Sequence, residues 1–218
     1  MAVMDCDYPQ HSVSKQKQRD ISQVHASDPL KRRLLSQSEE GRQPYPVMAS
    51  TPDKAIDDWE SAAADLHCDI VLFDLPGTAG TVGVLSTLVH MDYLFVPMKA
   101  DRMVLESTLN FATTINDRLV KTGVSSIREL YLFWNMVDRR ERNRLFEIYD
   151  RGINQLGLSC LHTAIPVRSN FNKEVAGTDA VYRSTLFAVE PAFAKECGLE
   201  ALMTEICNIL NIGDDDGR

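Results

Sequence analysis

Apolar residues along the chain fall into two alternating patterns. Short apolar runs occupy Ala2 to Met4, Tyr45 to Ala49, Ile70 to Phe73, Tyr93 to Met98, Leu130 to Trp134 and Leu161 to Ile165. These read as strands, and Ile70 to Phe73, with no polar alternation, reads as one covered on both faces. Between the runs lie stretches of helical periodicity. Ser50-Thr51-Pro52-Asp53 has the form of a helix start, followed by Ile56, Trp59, Ala63 and Leu66 at helical spacing. Further helices are expected near 81–90, 103–121 and 141–156, and a last one over 199–211 with Leu199, Leu202, Ile206, Ile209 and Leu210 on one side.

The stretch from Ser14 to Gln43 is polar, with seven Lys or Arg against four Asp or Glu. It reads as a helix interrupted near Pro29 and then a solvated connection. Strands alternating with helices of this length predict an α/β fold: a doubly wound, mostly parallel sheet with helices on both faces. One domain over 1–212 is expected, with 213–218 as a disordered acidic tail.

Composition narrows the function classes. The net charge of −8 over 218 residues excludes a strongly basic nucleic-acid coat, though not a local basic patch. No apolar run approaches the ~20 residues of a bilayer-spanning helix. No basic-then-apolar leader opens the chain, so a cytoplasmic location is expected. The five cysteines (Cys6, Cys68, Cys160, Cys197, Cys207) form no CxxC pair and read as reduced thiols. The five histidines show no metal-ligand spacing.

In a doubly wound sheet, ligands bind beyond the carboxyl ends of the strands. The runs here end in Asp5-Cys6-Asp7, in Asp74-Leu75-Pro76-Gly77, in Lys99, in Asn135 and in Pro166-Val167-Arg168. Three carboxylates converging on one edge repel unless a cation joins them. Mg²⁺ takes hard oxygen ligands, usually one or two carboxylates with phosphate oxygens and waters. A magnesium–phosphate site is the economical expectation.

Together these residues resemble the ParA/MinD family of deviant-Walker ATPases. Ala2 to Gln10 resembles that family's switch I strand, and Cys68 to Thr78 its Walker B strand and switch II. Leu132 to Asp138 resembles the strand whose Asn reads adenine, and Ala164 to Arg168 the late Ile-Pro loop that packs on the base. The resemblance runs from residue 2 to about 210 and is closest to ParA-type proteins of conjugative elements. It implies bound ATP and Mg²⁺. Asp7 would position the attacking water with Asp5 in support, Asp74 would hold Mg²⁺ through a water, and Gly77 would offer its N–H near the γ-phosphate. Asn135 would bond the adenine edge, with Pro166 and Val167 lining the base pocket.

The resemblance also implies a bacterial cytoplasmic homodimer that binds DNA non-specifically and answers to a centromere-binding, ParB-like partner. Arg139, Arg140, Arg142 and Arg144, with Arg168 and Arg183, are the candidate DNA contacts. Residues 196–218 hold six acids and one Arg, which argues against anionic lipid.

The family's phosphate-binding loop is missing: no G-x-x-x-x-G-K-[ST] occurs anywhere. In relatives, that loop belongs to a strand–loop–helix unit ahead of the strand that here begins at Ala2. The expectation is a P-loop-type fold lacking its first unit and, as written, unable to hydrolyse ATP. Two other readings remain: a non-hydrolysing ParA-like scaffold, and a receiver-type phosphoacceptor using Asp5, Asp7, Asp74 and Lys99.

Overall fold

The structure is a computed structural model that describes residues 1–77, 80–138, 145–173, 175 and 180–212. It is an α/β protein built from two parallel three-stranded sheets. The chain divides into two compact units. The first comprises Met1–His90 with Ser169–Glu190, and the second Met91–Arg168 with Pro191–Arg218.

In the first unit, β1 (Ala2–Asp5) lies between β2 (Val47–Ala49) and β3 (Val71–Asp74), both parallel to it. All four β1 residues are buried. Register pairs Asp5 with Ala49 on one side and with Asp74 on the other. The Met4 face packs with Met48, Val71 and Phe73 beneath Ala55 and Trp59 of α3 (Ala55–Ala63). Successive side chains on a strand take opposite faces. Asp5 therefore meets α1 (Ser12–Ala26) on the other side, where its carboxylate accepts the Ser14 amide. Ser27 then caps α2 (Asp28–Glu39), which opens with Pro29 in its first turn, so the break expected near Pro29 is a new helix start.

Two local expectations change in this unit. Helix α3 begins at Ala55, not among Ser50 to Asp53, because those residues serve longer-range bonds. The Ser50 amide bonds the Asp5 carbonyl, and the Pro52 carbonyl takes the Thr87 hydroxyl of α4 (Val84–Leu88). Strand β3 is also not covered on both faces. Leu72 is 48% exposed, and among the described strands β3 pairs with β1 alone.

The segment returning from late in the chain completes this unit. Val175, Val181, Leu186 and Phe187 bury against Val24 of α1 and Leu30 of α2. Two polar clamps hold it. Asp20 accepts from Ser184 and Thr185, and the Gln37 amide bonds the Leu186 carbonyl and the Ala188 N–H.

In the second unit, β5 (Glu129–Trp134) lies between β4 (Tyr93–Met98) and β6 (Ser159–Cys160). Leu130, Leu132 and Trp134 are buried while the alternate residues of β5 are half-buried. Helix α5 (Arg102–Ile115) is capped by Asp101 and runs into a π-helical turn over Asn116–Val120. Trp134 donates to Asp150 of α6 (Leu145–Gln155) at 3.0 Å and packs edge-on against Phe146.

The strand expected at Leu161 to Ile165 lies instead at Ser159–Cys160. The Leu161 and Ile165 amides still bond β5 carbonyls, but those of His162 and Thr163 go to the Glu205 carboxylate. Glu205 belongs to α8 (Leu199–Leu210), which follows the short α7 (Pro191–Glu196). The expected tail, 213–218, lies outside the described residues.

Candidate functional site

The carboxyl ends of β1 and β3 carry the acidic residues expected there. Asp5 is wholly buried, and each of its polar atoms but one is engaged. Its carbonyl accepts from the Ser50 amide at 3.0 Å and from His11 Nδ1 at 3.1 Å. Its Oδ2 accepts the Ser14 amide at 2.7 Å, so Asp5 acts as the N-terminal cap of α1 from a different element. Its Oδ1 has no hydrogen-bond partner, and His11 Nδ1 lies 3.6 Å away.

Asp74 faces Asp5 in register, and its carbonyl takes the Cys6 amide at 2.9 Å. Burial, and then the charges of Asp5 and Asp7, hold its carboxyl above the ordinary carboxylate range. Asp7 closes the following turn, its carbonyl accepting the His11 amide at 2.8 Å. Between the acids, burial and the neighbouring Asp5, Asp74 and Asp58 push the Cys6 thiol up to about 12. The edge is therefore electronegative, and a proton or a cation is favoured there.

Magnesium fits this chemistry. A buried carboxylate oxygen lacks a partner, and a second carboxyl opposite it is pushed toward its protonated form by burial first and by like charge second. No cluster of three metal-ligating side chains exists among the described residues. The three carboxylates expected to converge, Asp5, Asp7 and Asp74, are therefore not gathered into one three-ligand set. Gly77, three residues past Asp74, stands open: a β-carbon there would meet nothing within 4 Å.

The remaining expected site residues lie in the second unit. The Asn135 amide bonds the Met98 carbonyl at 2.8 Å, and its side-chain oxygen accepts the Met136 amide at 2.9 Å. Met136 takes a left-handed φ of 56°. The turn is tied to the late loop by a parallel bridge between Val137 and Pro166. Val137 donates to Ile165, and Val167 donates back to Val137. The structure thus brings Asn135, Pro166 and Val167 to one strand end, with Pro166 buried and Val167 exposed.

No protein-family model and no curated protein matches this chain.

The candidate DNA contacts fall into three situations. Arg139, Arg140, Arg142 and Arg144 lie outside the described residues. Arg168 pairs with Glu196 at 2.7 Å, and its Nε is buried without a partner. Arg183 is exposed on the returning segment of the first unit. Lys99, the cation of the receiver reading, is exposed after β4.

Sequence reasoning missed His11, Ser14, Ser50 and Asp58, which surround the acidic strand ends. The Ser50 hydroxyl donates to Asp58, while His11 and Ser14 both bond Asp5. The only advance signal was the closeness of His11 and Ser14 to the Asp5-Cys6-Asp7 strand end.

Proposed function

We propose that this chain is a ParA-type nucleotide switch whose acidic strand ends hold Mg²⁺ with the phosphates of ATP. The observation that carries the reading is the in-register pair Asp5 and Asp74, with an unpartnered buried oxygen on one and a raised carboxyl on the other. Asp74 would hold the ion through a water, Asp7 would orient a water at the phosphate, and Gly77 would leave room for a close backbone approach. Asn135, at one strand end with Pro166 and Val167, would offer its side-chain amide N–H to an adenine edge.

Bound Mg–ATP would favour a homodimer that associates with DNA and with a ParB-like partner, in the bacterial cytoplasm, in the manner of plasmid and conjugative-element maintenance proteins. Hydrolysis depends on positioning and electrostatics that a phosphate-binding loop supplies. The chain as written is therefore expected to bind without turnover.

Titration with a fluorescent ATP analogue, with and without Mg²⁺, tests the reading. The expected result is magnesium-dependent binding that Asp74→Asn abolishes, together with a nucleotide-dependent rise in sedimenting mass. Binding that ignores Mg²⁺, or survives Asp74→Asn unchanged, would sink it.

A further inference from the structure

The loop between β1 and α1 holds an imidazole that the carboxylates do not explain. His11 adopts φ 43° and ψ 56°. This left-handed conformation is costly for a side-chain-bearing residue and is found disproportionately at functional sites. It occupies the cap position of α1, yet its side chain caps nothing, since Asp5 does so through Ser14. The ring turns back instead, with Nδ1 3.1 Å from the Asp5 carbonyl oxygen. A carbonyl oxygen only accepts, so Nδ1 carries the proton.

In the neutral ring, Nε2 is then a bare acceptor, and no protein partner for it is found among the described residues. The ring is held firmly in this pose. The His11 backbone N–H bonds the Asp7 carbonyl at 2.8 Å, and Tyr8 packs edge-on at 5.8 Å. With 23% of its side chain exposed, the imidazole borders solvent while remaining tied to Asp5, and the His11 backbone is tied to Asp7.

We propose that His11 is a ligand-binding residue of the acidic site, locked by the Asp5 carbonyl as the Nδ1–H tautomer so that Nε2 accepts a hydrogen bond from water on a magnesium–phosphate ligand. The ligand half of this rests on the nucleotide reading above, whereas the tautomer half is independent of it.

Nitrogen-15 NMR of the imidazoles in the wild-type chain, in their neutral form, reads the tautomer directly. Nδ1–H is expected at His11, and Nε2–H overturns the inference whatever binds. His11→Asn offers an N–H near Nδ1, tolerates the left-handed backbone and places nothing at Nε2. The variant is expected to melt within about 2 °C of wild type, as a substitution that keeps the structural bond should. It is expected to bind the Mg²⁺-loaded fluorescent ATP analogue about tenfold more weakly, the loss of one hydrogen bond.

Unchanged binding by His11→Asn removes the ligand role while leaving the nucleotide reading intact. Absence of any binding by the wild type removes both.

Discussion

The Asp20 carboxylate grips Thr185 twice across 165 residues of sequence, Oδ2 accepting its amide at 2.7 Å and its hydroxyl at 2.9 Å. The same oxygen takes the Ser184 hydroxyl, and Oδ1 takes the Gln16 side-chain amide at 2.8 Å. Asp20 is almost wholly buried, so neutral donors have replaced its hydration shell. This makes α1 a shared strut, with its first turn capped by Asp5 and its middle fastened to the returning segment.

Asp20→Ala strands four donors in the interior and is expected to cost about 3 kcal/mol of unfolding free energy. Asp20→Asn retains one accepting oxygen and costs less. Urea midpoints at constant m-value provide the check. An alanine variant within about 0.5 kcal/mol of wild type, the range of an ordinary surface change, would show the clamp to be dispensable.

Two glycines separate backbone need from ligand need. Gly83 stands at φ 86°, and a β-carbon there would fall 2.3 Å from the Asp53 nitrogen. Gly83→Ala therefore combines a left-handed residue with a backbone clash and is expected to cost roughly 2–4 kcal/mol. Gly77→Ala meets open space and is expected to leave stability within about 0.5 kcal/mol. If a phosphate approaches that loop, Gly77→Ala still weakens Mg–ATP binding. Thermal melts paired with nucleotide titration distinguish the two.

Cys6 and Cys160 are both held up to about 12, by burial first and by neighbouring carboxylates second. Only a thiolate reacts readily with disulfide reagents. At pH 8 in the native chain both are expected to resist such a reagent and to react fully once urea is added. The same shift sets a stability slope. From the ordinary value of 9.0 up to about 12, the unfolded thiol of Cys6 has lost its proton while the folded one retains it. Native protein then binds more protons, so stability falls as pH rises through that window. Cys6→Ala is expected to flatten the fall. An unchanged slope would assign it to other groups.

Much of this architecture was legible because it is written in local apolar runs. Ala2 to Met4, Tyr93 to Met98 and Leu130 to Trp134 became β1, β4 and β5 because their cores bury where the chain is most apolar. Asp5, Asp7 and Asp74 were legible as the polar ends of such runs. What escaped was decided by partners far away in sequence. Glu205 draws off the His162 and Thr163 amides, so the last strand forms at Ser159–Cys160. Thr87 and Asp5 engage the Pro52 carbonyl and the Ser50 amide, so α3 starts late. The capping role of Asp5 likewise depends on a fold that returns Ser14 to it. No local pattern encodes these contacts.

The acidic edge carries the clearest conflict between stability and proposed function. Asp74 is raised by burial and then by Asp5 and Asp7, so the folded chain favours its protonated form relative to the unfolded chain. That contribution is fully present below the ordinary carboxylate value and is lost as pH rises through the raised one. At neutral pH the ionised Asp74 therefore works against the fold. Asp74→Asn removes that charge, and the ligand-free variant is expected to melt higher, by about 2–4 °C for a gain near 1 kcal/mol. Added Mg²⁺ should raise the wild-type midpoint by mass action and leave the variant unmoved. Thermal scans with EDTA and with Mg²⁺ give all four values. If Asp74→Asn melts lower than wild type in EDTA, the carboxylate stabilises the fold by a bond of its own, and repulsion at the strand ends does not govern the site.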